Sequence, residues 1–270
     1  MKFAKHIITN LTFVFLFCLF FVPSCYAANI RVEPNPEIPQ SQTGWVVKAI
    51  QNTLTYMSAN YDKKIDHDIN IKLVSKDTAS EVINENDLNN NVGGNSSIGN
   101  INLVINSNSS KYYVTFLTAH ELIHQYQMQE YGGTEIMNKN LWFIEGMADY
   151  IGVQVASNID KNKYNAFITS AQTKTINANY SLSNITNRQD WSRYFNAGHS
   201  VYGKADMAIL YLNENYPSQF MWTYMTYLYN EGADKALKNV YGLSIKELDN
   251  AISSGMISQN NDALDSYLDF

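Results

Sequence analysis

Cysteine is scarce in this chain of 270 residues, which contains Cys18 and Cys25 and no other cysteine. Both lie in residues 1–27, where two lysines, the apolar run Leu11–Val22 and small residues up to Ala27 follow one another as in a secretory signal peptide. Cleavage after Ala27 would leave a chain without thiols. A disulfide framework, a cysteine nucleophile and a thiolate metal site are therefore excluded for the mature protein.

The sequence also lacks an apolar run long enough to cross a bilayer. A transmembrane helix needs about 20 apolar residues, and the run Leu11–Val22 has twelve. We predict that residues 1–27 are removed and that the mature protein is secreted, to the extracellular space or the periplasm, without a membrane span. Two alternatives stay open, an uncleaved N-terminal anchor and a lipid on Cys25, the second disfavoured by the nearby Pro23.

Basic residues are fewer than acidic ones: the chain has 19 lysines and arginines and 25 aspartates and glutamates, which gives a net charge of −6. No run of lysines and arginines occurs, so the sequence lacks the electrostatic footprint of a nucleic-acid-binding protein. We therefore expect no nucleic-acid partner. The chain is long enough to bury a stable core without disulfides.

One stretch combines metal-binding and acid–base side chains: His120, Glu121 and His124 lie in a predicted helix over 111–131. Serines precede this helix as N-cap candidates and two glycines follow it. Histidines four residues apart share one helical face and can bind one metal ion. Glu121 lies about 100° around the helix, where it can accept a proton from a water molecule that the metal binds.

The neighbours of these polar residues are apolar on almost every side of the helix, which is typical of a buried helix. They are Val114, Phe116, Leu117, Ala119, Leu122 and Ile123. Buried polar side chains without partners are costly, so we expect an ion to be bound between the histidines. A catalytic zinc takes three protein ligands, and the residues directly downstream lack the Gly and third His of the metzincin pattern.

The next candidate for a third ligand is the stretch 141–150, LWFIEGMADY, which carries Glu145 and Asp149 one helical turn apart. With the upstream His-Glu-x-x-His it resembles the gluzincin clan of zinc metallopeptidases. It is also similar to a block in the plant basic secretory proteins and the wider peptidase MA-like group. The resemblance implies that His120, His124 and Glu145 bind Zn²⁺ and that Asp149 accepts an N–H from a ligand imidazole.

The resemblance also implies a zincin-like metallopeptidase fold, which we class as α+β and mostly helical. Residues 28–42, with three prolines, are predicted to be an extended tail. We expect a single catalytic domain over 43–270, with a mixed N-terminal lobe at about 43–133, a helical C-terminal lobe at about 134–270 and zinc between them.

Periodicity predicts further elements. These are strands near 69–73 and 101–105 and helices at about 43–60, 160–172, 200–214, 218–230, 233–240 and 244–253. By resemblance, residues near 99–105 offer a free strand edge to substrate; the alternative is an ordinary hairpin strand. We interpret His67 as a loop residue rather than a metal ligand.

A peptidase needs a donor for the oxyanion that forms on the attacked carbonyl. Related families often place a Tyr at the start of the helix that follows the ligand Glu, which makes Tyr202 the first candidate and His199 the second. The alternative is that Tyr202 only packs and His199 lies at the surface.

We therefore expect a secreted zinc-dependent peptidase, an endopeptidase acting as a monomer on protein or peptide substrates. Glu121 would be the general base and later the general acid. Two alternatives remain: a catalytically inactive, zinc-stabilised binding or surface protein, and a zinc hydrolase of a non-protein amide.

Overall fold

The computed structural model describes residues 28–81 and 93–253. The predicted signal peptide at 1–27, with Cys25, and the last part of the predicted catalytic domain, 254–270, lie outside the described residues. Across the described ranges, no helix has both the length and the apolar character that crossing a membrane requires.

A four-stranded sheet forms near the N-terminus. Its strands are β1 (Ile30–Glu33), β2 (Ile69–Val74), β3 (Gly94–Ser97) and β4 (Asn100–Val104), in the order β1-β2-β4-β3. The pairs β1–β2 and β2–β4 are parallel, and β3 is antiparallel to β4. Parallel neighbours need a long crossover, and α1 (Gln40–Tyr61) supplies it between β1 and β2.

The rest of the described chain is mostly helical, which agrees with the predicted class. The helices are α2 (Lys111–Glu130), α3 (Leu141–Ala156), α4 (Asn162–Ile176), α5 (Arg188–Asn196), α6 (Val201–Asn215), α7 (Phe220–Glu231), α8 (Ala233–Tyr241) and α9 (245–253). Short 3-10 segments lie at Lys76–Glu81, Gly133–Asn138 and Leu182–Ile185.

The predicted tail at 28–42 differs from the structure. Ile30 and Val32 alternate with polar residues and form β1, in register with β2 from Ile30 opposite Ile69. Helix α1 already begins at Gln40. The prolines after β1 suggested an irregular segment, but the alternating pattern before them determines the strand.

Two buried helices organise the interior. Helix α3 packs against both α2 and α6, and its side chains Trp142 and Phe143 are fully buried. Helix α2 packs against the sheet, α1 and α3. The burial that the sequence predicted for α2 is confirmed, and His120, Glu121 and His124 of α2 and Glu145 and Asp149 of α3 are buried.

Candidate metal centre

Helix α2 begins and ends where its sequence predicts. The hydroxyl of Ser110 accepts a hydrogen bond from the backbone N–H of Tyr113 at 3.1 Å and caps the N-terminus. After the helix, Gly132 and Gly133 adopt φ values of 86° and 83°, a left-handed conformation that glycine adopts without strain. Both ends of the helix are thus defined by local sequence, and the two histidines lie in its central part.

The two histidines of α2 face each other, with ring centroids 4.6 Å apart. Their Nε2 atoms are separated by 3.0 Å. From α3, the Oε2 atom of Glu145 lies 3.5 Å from Nε2 of His120 and 3.8 Å from Nε2 of His124. Atoms that bind one tetrahedral zinc at 2.0–2.1 Å are separated by about 3.3 Å. The three side chains therefore have the spacing of a metal-ligand set.

The hydrogen bonds on the far side of each ring explain why a cation fits there. Nδ1 of His120 lies 2.7 Å from a carboxylate oxygen of Asp149, and Nδ1 of His124 lies 2.8 Å from Oε1 of Gln127. Each Nδ1 therefore faces an acceptor and carries a hydrogen, which leaves the two Nε2 atoms as the ring positions that can bind a metal ion.

Gln127 is a site residue that the sequence analysis missed. Its Nε2 donates to the backbone oxygen of Ile144 at 3.1 Å, which fixes Oε1 as the acceptor for His124. The amide thus ties the second histidine to the residue before Glu145. Its position three residues after His124 on the same helix was the available signal, because such residues are neighbours on a helix surface.

The charges of the buried site shift two pKa values in opposite directions. Burial is the largest influence on His120 and lowers its pKa, but the carboxylates of Asp149 and Glu145 outweigh it and hold the pKa well above 6.5. Burial raises the pKa of Glu145, and the two histidines outweigh it and lower the pKa to about 2. Glu145 is therefore an ionised, acceptor-only group at neutral pH, as a metal ligand must be.

A second carboxyl lies behind Asp149 and was also missed. Asp206 on α6 is buried and hydrogen-bonds to Asp149. Burial, and then the charge of Asp149, raise the pKa of Asp206 well above its usual range. A raised pKa favours the protonated form of Asp206, and a protonated carboxyl can donate to Asp149, which accepts from His120 as well.

Glu121 is buried beside the ligand group but is not part of it. Its carboxylate faces β3, where its Oε2 accepts a hydrogen bond from the hydroxyl of Ser96 at 2.6 Å.

The two candidate oxyanion donors have different surroundings. Tyr202 packs edge-on against Trp191 with ring centroids 5.0 Å apart. Burial, followed by the charges of Glu145 and Asp149, raises the pKa of its hydroxyl, so Tyr202 lies within electrostatic reach of the candidate metal centre. His199 contacts the rings of two tyrosines, with centroids 5.3 and 5.4 Å away.

Among the described residues, His120, His124 and Glu145 form the one group of at least three His, Cys, Asp or Glu side chains that could hold a metal ion. His67 lies elsewhere: its ring nitrogens face the amide oxygens of Gln129 and Gln125, each at 3.2 Å.

The strand expected to offer a free edge is not at the edge. Residues 100–104 form β4, which pairs with β2 on one side and β3 on the other. On this side of the sheet the edge strand is β3. The polar, Gly-containing sequence of β3 carries no strand signal, so its pairing with β4 could not be predicted from the sequence.

Comparisons with known proteins add no family: no family model matches the chain, and no curated protein matches it. The site therefore stands on its own geometry. It is a buried His–His–Glu group that could bind a metal ion, and it resembles a His-Glu-x-x-His motif with a downstream Glu.

Proposed function

We propose that this protein is a secreted, zinc-dependent peptidase of the gluzincin type, an endopeptidase that acts as a monomer on proteins or peptides. The observation that carries the proposal is the arrangement of four buried side chains. Three of them, His120, His124 and Glu145, converge on one point, and the fourth, Glu121, lies beside them with its carboxylate turned to β3.

His120, His124 and Glu145 are the residues that would hold the zinc. Two imidazoles and one carboxylate are the donor set of many catalytic zinc sites, which keep a fourth position open for water. Bound zinc supplies Lewis acidity and lowers the pKa of a coordinated water from about 15.7 toward about 7. Asp149 and Gln127 fix the tautomers and orientations of the two imidazoles.

The reaction on the substrate is assigned to the remaining polar groups. Glu121 accepts the proton of the attacking water as general base and passes it to the nitrogen of the leaving amine as general acid. The hydroxyl of Tyr202 donates to the developing oxyanion, and its raised pKa keeps it a donor at neutral pH. His199 remains the second candidate for this role.

The number of protein ligands distinguishes a catalytic zinc site, which keeps a fourth coordination position open, from the site of a zinc-stabilised binding protein. Structural zinc sites are usually closed by four protein ligands. Within the described chain, the metal-binding group contains three, and a purely structural site has no use for the buried carboxylate of Glu121. Secretion rests on the predicted signal peptide at 1–27.

The test pairs metal analysis with cleavage of casein by the purified 28–270 chain. Wild type is compared with Glu121→Gln and with Glu130→Gln, a control on the same helix whose carboxylate pairs with Lys63. We expect about one zinc in all three proteins and chelator-sensitive cleavage in wild type and the control, but not in Glu121→Gln. Cleavage by Glu121→Gln at the wild-type rate would refute the assigned base.

Two other outcomes separate the alternatives. Zinc in all three proteins with cleavage in none would favour a binding protein or a hydrolase of a non-protein amide. Absence of zinc from the wild type would remove the basis of the proposal.

A further inference from the structure

We propose that Ser96 is a positioning residue that holds the carboxylate of Glu121, from the edge strand β3, in the place where Glu121 acts. This inference rests on the proposed role of Glu121. The hydroxyl of Ser96 lies 2.6 Å from Oε2 of Glu121 and 3.2 Å from its backbone oxygen. A serine has one hydroxyl hydrogen, and the shorter distance assigns it to the carboxylate, as a charge-assisted bond.

The strand is shaped to approach this carboxylate closely. Successive residues of a strand face opposite sides, so Gly94 and Ser96 share the side that faces α2. A Cβ atom at Gly94 would lie 2.7 Å from Oε1 of Glu121, a distance at which the two atoms would clash. Gly94 and Ser96 together enclose the carboxylate, the first by leaving space and the second by bonding.

The position of Ser96 is itself fixed relative to α2. Its neighbours along the chain are bound by Gln125, whose Nε2 donates to the backbone oxygen of Ser97 at 2.9 Å and whose Oε1 accepts from the backbone N–H of Gly99 at 2.9 Å. Because Gln125 lies on α2, this amide fastens the β3–β4 turn to the helix that carries Glu121. The hydrogen bond from Ser96 therefore joins strand β3 and helix α2, which Gln125 already holds together.

Such a restraint has a specific use beside a metal ion. A flexible, buried carboxylate next to a dication is attracted to it and can become a further ligand, which would close the open position and remove the base. A hydrogen bond to Oε2 opposes that movement. Holding a catalytic group in its productive geometry also avoids an entropic cost in each turnover.

The test uses the purified 28–270 chain with zinc and a peptide that wild type cleaves. Ser96→Ala removes the donor, and Ser96→Thr retains it. Ser75→Ala is the matched control, because the hydroxyl of Ser75 also donates to a carboxylate, that of Glu37. We expect Ser96→Ala to lower kcat about tenfold with KM and zinc content unchanged. Ser96→Thr should recover most of the rate, and Ser75→Ala should keep the rate of wild type.

Crystal structures of zinc-loaded wild type and Ser96→Ala provide a readout that does not depend on activity. We expect the carboxylate of Glu121 to be displaced or split between positions in Ser96→Ala and single in wild type. An unmoved, ordered carboxylate in the variant would overturn the inference, as would equal kcat values in a cleaving enzyme. A displaced carboxylate in a protein that cleaves nothing would support the positioning role and reject the peptidase proposal.

Discussion

At the scale of single residues, the two histidines of the candidate metal centre are supported differently. His120 bonds to a carboxylate, Asp149, whereas His124 bonds to the neutral amide of Gln127. A carboxylate raises the basicity of an imidazole ligand more than an amide does, because it stabilises the charge that the ring develops toward the metal. The amide contributes orientation, since its other end is bound to the backbone oxygen of Ile144.

Replacing Gln127 by methionine keeps the length of the side chain and removes the acceptor. We expect Gln127→Met to weaken zinc binding about 10- to 100-fold, measured by competition with a chromogenic chelator. Gln129→Met is the control, because Gln129 lies on the same helix but bonds to the backbone of Lys64. Equal zinc affinities in the two variants would show that the bond to His124 is unimportant.

Asp206 makes the stability of the fold depend on pH in a defined direction. Its pKa is near 3.9 in an unfolded chain and is raised well above that in the fold by burial and by Asp149. Its contribution to stability is therefore complete below about pH 4 and is lost as pH rises through the folded pKa. Asp206→Asn keeps the shape and a donor without this loss.

The prediction concerns the difference in free energy of unfolding between wild type and Asp206→Asn. We expect the wild type to lose stability relative to the variant as pH rises from about 5 to about 9, measured by urea unfolding. A constant difference over this range would mean that Asp206 does not hold its proton in the fold.

At the scale of elements, the centre depends on how closely α3 approaches α6. A Cβ atom at Gly146 would lie 2.8 Å from the backbone oxygen of Ala205 and 2.9 Å from a side-chain carbon of Ile209. The backbone of Ala205 cannot shift to make room for a Cβ atom as the end of a flexible side chain can. Gly146 therefore sets the distance between the helix that carries Glu145 and the helix that carries Asp206.

Gly146→Ala should lower the free energy of unfolding by about 1–3 kcal/mol, as overpacking does, and reduce zinc affinity, because Glu145 is the adjacent residue. Gly44→Ala in α1 is the control. A Cβ atom there meets nothing within 4 Å, so this change should be neutral or stabilise by up to about 1 kcal/mol. Urea unfolding compares them, and equal stabilities would contradict the close-packing argument.

At the scale of the whole molecule, the proposed zinc joins two helices that lie in different parts of the chain. Helix α2 follows the sheet, and α3 packs against both α2 and the later helix α6. An ion bound by His120 and His124 on one side and Glu145 on the other would link these parts. With no cysteine in residues 28–270, disulfides cannot provide such a link.

Zinc should therefore stabilise the whole fold. At a free zinc concentration of 100 times Kd, the free energy of unfolding should rise by about 2.7 kcal/mol, visible as a higher Tm that a chelator reverses. His124→Ala serves as the control, since it removes one ligand and should show little response to zinc. A wild-type Tm that is the same with zinc and with chelator would argue against the ion.

The sequence by itself determined the features that depend on spacing within a single helix. Helix α2, its ends, the shared face of His120 and His124, and the turn from Glu145 to Asp149 follow from local spacing, because side chains three or four residues apart on a helix must be neighbours. The tertiary structure decided the contacts between distant segments. Ser96 and Glu121 are separated by 25 residues, and no periodicity relates a residue of an edge strand to one of a helix. Their proximity is set by the packing of the sheet on α2.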